Sequence, residues 1–386
     1  KGIPYAAEVP APQVESGEVL VRLQASCLSI RTELNGIRAS AVPMWKKAIA
    51  QPEKALSVLQ VARDNGIKNA VRAVNEKKEA EHLTGYSASG VVIASGDDIT
   101  DLKIGDRVAC AGAQYSHHAE YIRVARNLCV SIPGKLDFEA ASTVTLGAIA
   151  LQGVRRSQPT LGETFVIVGL GILGQLSAQI LRANGCRVIG IDTEPERIEK
   201  AITQGMEYGV QPDNMDSDTI ARMTDGYGAD GVIITAATKS DEVVSNAFKF
   251  CRKKGRVILV GDVGLNLNRE DFYTKEIDFF ISTSYGPGRY DQSYEEHGLD
   301  YPISYVRWTE NRNMLEYLRL IDEGRIHIKP LVSLRFNIEE ATAAYKAISA
   351  EDKPLLALFT YPPIEDISLI PERMLSLKSS AQSVTS

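Results

Sequence analysis

The sequence predicts an α/β fold built on a doubly wound parallel sheet, joined to a second, β-rich domain. Three observations carry that expectation. From about residue 160 onward, short apolar strands alternate with helical stretches, the rhythm of βαβ units whose right-handed crossovers build a parallel sheet. One of those strands runs directly into a glycine-patterned turn that opens a helix. Between residues 90 and 130, by contrast, short apolar runs alternate with turns and no helical spacing intervenes.

Bulk properties bound the rest. At 386 residues the chain exceeds the size of a single growing core, so two domains are expected. Hydrophobic residues make up 44% and charged residues 24%, ordinary proportions for a soluble globular protein. A formal net charge of -6 argues against nucleic acid as a partner, because phosphate binding asks for a basic face. No apolar run approaches the roughly 20 residues that span a bilayer, so no membrane association is expected, and the first residues carry no signal-peptide pattern. Five cysteines, Cys27, Cys110, Cys129, Cys186 and Cys251, are odd in number, widely spaced and free of any C-x-x-C pair. A reduced, cytoplasmic setting is the expectation that follows.

Taken in order, residues 18–25 alternate like a half-buried strand. Residues 44–80 carry helical spacing in two stretches, 45–65 and 69–78, with Gly66 between them, and read as a basic helical pair on the surface. The β-rich stretch follows, with turns at Gly96-Asp97-Asp98 and Gly105-Asp106. Strands are expected at 164–168, 187–191, 231–235 and 256–260, with 277–282 as a sixth. Helices are expected at 173–184, 195–204 and 241–251. A loop rich in Gly, Pro and Tyr spans 284–306. A helix at 310–323 ends at Gly324, and another at 339–349 is capped by Asn337. The tail shows little pattern, and 379–386 reads as a linker or frayed end.

The strongest local signal is Gly169-Leu170-Gly171-Ile172-Leu173-Gly174, directly after the strand and at the head of the helix. The first glycine makes the tight turn, the second lets the backbone approach a pyrophosphate, and the third lets helix and strand pack closely. The helix N-terminus then presents free N–H groups to phosphate. Asp192 stands at the end of the next strand, eighteen residues beyond Gly174, where a carboxylate can accept the adenosine ribose hydroxyls and repel a 2′-phosphate. These residues form a Rossmann fingerprint with a preference for NAD(H) over NADP(H). Thr145, Ile172, Leu173, Arg197, Thr235, Ala236, Val260 and Gly261 are expected to complete the cofactor site.

With Gly105-Asp106-Arg107-Val108, the Gly90-Val91-Val92 strand and the Rossmann unit in place, the chain resembles the medium-chain dehydrogenases/reductases over roughly residues 7–361. The resemblance implies a GroES-like catalytic domain formed by residues 1–150 and 285–362, with a helical insert at about 44–80. It places the NAD-binding domain at 151–284, leaves 363–386 as tail, and suggests a homodimer. Zinc members of that family hold their catalytic metal with a Cys and a His-Glu pair. Here Ser29 stands at the first position and Tyr86-Ser87 at the second, in Gly85-Tyr86-Ser87-Ala88-Ser89-Gly90. Ser and Tyr are poor zinc ligands. The four-Cys structural lobe is also missing, with Cys110 alone in its place. No metal is therefore expected. His117-His118 is read as two neighbours on a strand, facing opposite ways, rather than as a metal pair.

Residues 284–313, with Asn127-Leu128-Cys129 and the stretch 146–153, look similar to the dehydrogenase half of bacterial bi-domain oxidoreductases. In those proteins a zinc-free medium-chain module is joined to a Gfo/Idh/MocA-type sugar oxidoreductase module, often in polysaccharide or glycan gene clusters. The resemblance implies such a second module as a partner and a sugar-like substrate. Without zinc, side chains must move the hydroxyl proton and polarise the carbonyl. The expectation is that Tyr86 or His117 relays the proton, that Arg31 and Glu33 fix the substrate, and that Ser29 and Thr32 line the same place. Each is also open to a plain role as an ion pair or a core hydroxyl. Tyr285, Arg289, Tyr290, Arg307 and Glu310, with Trp308 and Arg312 beside them, combine aromatic faces with guanidinium forks suited to a sugar acid or nucleotide sugar. A dimer contact or a packed loop is the alternative there. The reading as a whole is an NAD(H)-dependent, metal-independent sugar oxidoreductase, set beside a quinone or enoyl reductase and a non-catalytic NAD-binding module.

Overall fold

The structure is a computed structural model describing residues 4–30, 32–34, 83–350 and 354–364. The expected helical pair at 44–80, Arg31 and the chain beyond residue 364 lie outside the described residues. The β-rich half is a seven-stranded sheet built from β1 (Glu18–Leu28), β2 (Ser87–Ser95), β3 (Arg107–Ala111), β4 (Tyr121–Ala125), β5 (Cys129–Ser131), β12 (Val332–Asn337) and β13 (Leu356–Thr360). Its order is β12-β13-β1-β2-β3-β5, with β4 also paired to β1. Strand β1 pairs antiparallel with β13, β2 and β4 along its length, which is why it is buried almost throughout rather than on one face.

The other half is the expected parallel sheet: β6 (Thr164–Val168), β7 (Arg187–Ile191), β8 (Tyr208–Val210), β9 (Ala229–Ile234), β10 (Cys251–Leu259) and β11 (Asp278–Ile281), in the order β11-β10-β9-β6-β7-β8. Strand β8 was not foreseen. At three residues, none of them fully buried, it has no apolar run to announce it. The helices that matter below are α1 (Val144–Arg156), α2 (Ile172–Ala183), α3 (Pro195–Thr203), α4 (Ser217–Met223), α5 (Glu242–Phe250), α6 (Glu310–Asp322) and α7 (Ala341–Ile348).

Helix α1 was not foreseen either, and the reason is physical. Nine of its thirteen residues are buried, so no polar stripe marks a helical period. It joins the two halves. Gly147 leaves room for the Tyr317 ring of α6, whose hydroxyl bonds Thr143 Oγ1 at 2.8 Å, and Gly153 leaves room for Val260 at the end of β10. Strand alternation divides the core of the parallel sheet. Phe165 and Ile167 join the core shared with the β-rich half, while Val166 joins a second core on the opposite face. His117 and His118 are not on a strand as expected. They lie in the turns between β3 and β4, so alternation does not set their directions.

Candidate functional site

The glycine turn folds as its spacing demands. Gly169 takes φ +96°, and a Cβ there would stand 2.7 Å from the Ala236 amide. A Cβ on Gly174 would overlap the Gly169 carbonyl oxygen, so only glycine lets α2 seat against β6. Gly171 differs: nothing lies within 4 Å of the position its Cβ would take, and this is the open side along which a pyrophosphate can approach. Ile172 and Leu173 begin α2, whose first N–H groups face that space. Thr235 Oγ1 donates to the Gly169 carbonyl at 2.5 Å, and the Val260 and Gly261 amides both donate to Ile234 O at 2.9 and 2.8 Å. Thr235, Ala236, Val260 and Gly261 thus close the crevice at the carboxyl ends of β9 and β10.

Asp192, 7% exposed, follows β7. Its two oxygens accept from the Leu170 amide at 2.6 Å and the Glu194 amide at 2.9 Å, and Arg197 stands 3.9 Å away. Each carboxylate oxygen keeps a lone pair for a ribose hydroxyl. The open glycine turn and this oriented acid fit a dinucleotide. Thr145, assigned to the cofactor from sequence, starts α1 and donates from Oγ1 to the Tyr86 carbonyl at 3.0 Å.

A second centre gathers hydroxyls. Ser29 follows β1, Thr32 lies in the helical residues 32–34 just after it, and Tyr86 immediately precedes β2; the Tyr86 phenol hydrogen-bonds with Ser29 and Thr32. Burial pushes the Tyr86 phenol well above its usual range, and the Ser29 bond only partly offsets this. At neutral pH Tyr86 is therefore a proton donor and not a base. These hydroxyls do not fit a zinc ion, which takes thiolate, imidazole or carboxylate. Among the described residues no three His, Cys, Asp or Glu side chains cluster as metal ligands.

Two expectations are corrected here. Glu33 is not free to hold substrate. It is 6% exposed and accepts from the Ser29 amide at 2.9 Å, from His118 Nε2 at 3.2 Å and from the Tyr345 hydroxyl. His117 is not beside it: its Nε2 meets the Gln114 carbonyl at 3.0 Å, and desolvation lowers its pKa, so it is neutral at pH 7. The histidine at this centre is His118, whose Nδ1 lies 2.7 Å from Ser26 Oγ, which in turn meets the Tyr361 hydroxyl at 2.7 Å. The tautomer with Nε2–H toward Glu33 satisfies every member of this chain. Nothing in the sequence separates two adjacent histidines once the strand assignment fails.

The 284–313 segment lies at the other end of α1. Gln152 and Arg155 reach Asn313, and the Arg155 guanidinium lies 3.3 Å from the Trp308 ring centroid, whereas Thr145 touches Tyr86. Ten helical residues separate Thr145 from Arg155, about 15 Å along the axis. The two groups of expected substrate residues are thus not one cluster. Arg312 is taken by Asp300, and Arg307 packs on Trp308 at 3.9 Å. Tyr285, Arg289 and Glu310 are buried together; Arg289 pairs with Glu295 at 2.5 Å, while Tyr290 stands 71% exposed.

Glu310 is fully buried with neither oxygen partnered, and desolvation, reinforced by Glu295, pushes its pKa up to about 9. An acid whose folded pKa is raised costs nothing below the unfolded value, and costs more as pH climbs toward the folded one. Glu310→Gln is therefore expected to match the wild type in stability near pH 4. It should gain on it between pH 5 and 9, by roughly 1–3 kcal/mol at pH 8. Urea unfolding of both proteins across that range checks it; parallel pH profiles would show that Glu310 ionises freely in the fold.

Known proteins place these features. Residues 173–297 match the family model described as zinc-binding dehydrogenase, a span that leaves out Ser29 and Tyr86. A sorbitol dehydrogenase of Halalkalibacterium halodurans is 23% identical over 299 residues, 69% of this chain and 80% of the relative. A quinone oxidoreductase of Rattus norvegicus is 25% identical over 244 residues, 60% of this chain and 74% of the relative. Among solved structures, 2R,3R-butanediol dehydrogenase from Bacillus subtilis superposes with a TM-score of 0.69 at 20% identity, over 92% of this chain and 96% of that one. Galactitol-1-phosphate dehydrogenase from Escherichia coli gives 0.69 at 18% identity over the same shares. The chain thus has the fold of the medium-chain dehydrogenases/reductases along nearly its whole length, and its match to the zinc-binding dehydrogenase model lies in the cofactor half.

Proposed function

We propose that the chain is an NAD(H)-dependent oxidoreductase that moves hydride to or from a sugar-like alcohol or ketone without a metal. The observation that carries this reading is the donor set around Tyr86: Ser29 and Tyr86, at the positions where the family resemblance implies zinc ligands, hydrogen-bond each other, with the Thr32 hydroxyl beside them. Several relatives act by name on polyols, sorbitol dehydrogenase and galactitol-1-phosphate dehydrogenase among them, which supports a sugar-like substrate. NAD(H) follows from the Asp192 carboxylate and the glycine turn, and an alcohol dehydrogenase of Sulfurisphaera tokodaii described as NAD-dependent supports it.

When bound, the nicotinamide exchanges hydride with the substrate carbon. The chain's own residues manage the proton. In the reducing direction Tyr86 donates its phenolic proton to the substrate oxygen as negative charge develops there, and solvent reprotonates the phenol through the Ser29 and Thr32 hydroxyls, which each pass on one proton and take up another. Glu33, held by His118 and Tyr345, fixes the Ser29 backbone and so the phenol's position. Arg31, outside the described residues, keeps its expected role toward substrate as part of the proposal. So do homodimerisation and a second, Gfo/Idh/MocA-type module.

The test mixes chelator-treated protein with NAD or NADH and a panel of sugars, sugar acids, nucleotide sugars and quinones, following nicotinamide absorbance in a single turnover. Hydride exchange with a sugar compound, unchanged by chelation, is the expected result. Activity that chelation removes and zinc restores would end the metal-free reading. Turnover with quinones alone would favour a quinone reductase, the activity named for the rat relative. Binding of NADH without any exchange would make the chain a cofactor-holding module. On the cofactor side, Asp192→Asn is expected to weaken NADH about tenfold and to narrow the preference over NADPH. Fluorescence titration of both nucleotides reads this; an unchanged ratio would remove Asp192 from cofactor choice.

A further inference from the structure

Four polar atoms at the far end of α1 lack a partner among the described residues: Tyr285 Oη, Arg289 Nε and both carboxyl oxygens of Glu310. Their side chains are almost wholly buried, Tyr285 3% exposed, Glu310 0% and the Arg289 side chain 11%. They lie close enough that Arg289 and Glu295 shift the Glu310 carboxyl, and Arg289 and Glu310 shift the Tyr285 phenol. Yet none of the four bonds another. Buried polar groups in folded proteins are normally satisfied, so four in one place mark an absent hydrogen-bonding guest.

The chemistry of the unpaired atoms selects that guest. Arg289 Nε–H can only donate, so a cation would leave it unsatisfied. Glu310 in its acid form donates through one oxygen and accepts through the other, so an anion would leave its carbonyl oxygen unpaired. A hydroxyl does both, and two adjacent hydroxyls can meet the two Glu310 oxygens at once while accepting from Arg289 and Tyr285. The anchors are held in place beforehand. Arg289 is braced by Glu295, and the Tyr285 carbonyl accepts from Asn313 Nδ2 at 3.0 Å. Beside them Tyr290 keeps φ +68°, a conformation a bulky side chain rarely adopts, and presents a 71% exposed ring with the Arg289 guanidinium 4.2 Å from its centroid. An exposed aromatic side chain beside unpaired donors and acceptors is the chemistry of carbohydrate recognition.

We propose that Tyr285, Arg289 and Glu310 bind a vicinal diol of a sugar-like ligand, at a site separate from the Tyr86 centre. The proposal rests on the sugar-like reading above and adds to it. Because α1 lies between the two centres, a ligand engaging both is longer than one sugar ring, as a disaccharide or a nucleotide sugar is.

The test uses the NADH-loaded protein with sorbitol, maltose and UDP-glucose as probes, read by calorimetric titration and thermal shift. At least one probe is expected to bind the wild type. Glu310→Gln, which keeps a donor and an acceptor, should bind within about threefold of it. Glu310→Met should lose at least about tenfold, and Tyr285→Phe, which removes one hydroxyl without changing shape, a few-fold. Binding that survives both Glu310→Met and Tyr285→Phe, or no binding by any of the three probes, overturns the proposal and leaves the site to water. Binding that depends on Glu310, with no hydride exchange, would instead end the catalytic reading while the diol site stands.

Discussion

Gly174→Val is expected to abolish NADH binding and to lower the melting temperature, whereas Gly171→Ala is expected to leave the fold intact and weaken only the cofactor. The two glycines sit three residues apart in one turn, and geometry separates them. A Cβ on Gly174 overlaps the Gly169 carbonyl oxygen and stands 2.9 Å from its carbon, a backbone contact that cannot rotate away. Relief requires α2 to lift off β6, where Leu176 and Leu181 are fully buried. A misfit of that kind costs on the order of 1–3 kcal/mol before any cofactor is considered. The Cβ of Gly171 meets nothing within 4 Å, so its methyl enters only the space a pyrophosphate would use. Thermal melts with and without NADH separate the two effects. Equal losses of stability in both variants would show that the space beside Gly171 is structural.

Tyr86→Phe is expected to lower turnover about ten- to a hundredfold with NADH affinity unchanged, the range typical of losing one positioned proton donor. The loss should appear in kcat more than in KM, because the proton moves only as charge develops on the substrate oxygen. His117→Asn is expected to leave turnover near the wild-type value, since that ring faces Gln114. The pair discriminates between the two histidine and tyrosine roles drawn from sequence. Single-turnover absorbance after mixing with NADH reads both. Near-normal turnover in Tyr86→Phe would remove the proton-donor assignment outright, whereas a loss in His117→Asn would restore that histidine to the reaction.

Much of the cofactor half was legible because its signals are local. The central strands of the parallel sheet carry continuous apolar runs such as Phe165–Val168, Val188–Ile191 and Val232–Ile234, since both faces are covered, and helices alternate with them. The glycine turn announces a backbone conformation that few other residues can adopt, which is why its positions read directly as geometry. Helix α1 escaped notice because burial on nearly every side erases the contrast that periodicity depends on. Asn337 did read as a cap, and it forms a reciprocal capping box with Glu340 ahead of α7, a signal contained within four residues.

The substrate side was legible only as a set of residue types. Ser29, Thr32 and Tyr86 do meet, but the role of Tyr86 depends on burial that no local pattern encodes. The partner of Glu33 is His118, 85 residues away, and Tyr345, 312 residues away; a preference between two neighbouring histidines is settled by the turns that carry them. Likewise Arg289 and Glu310 read from sequence only as substrate candidates, whereas the fold pairs Arg289 with Glu295 and buries the Glu310 carboxyl without a partner among the described residues. The sequence by itself determined the parallel sheet, the dinucleotide turn and the acid that follows it, because backbone conformation and strand burial are written into neighbouring residues. Only the tertiary structure decided which histidine meets Glu33, which hydroxyl keeps its proton and which carboxyl is left unpaired, because desolvation and long-range hydrogen bonds arise when distant segments are brought together.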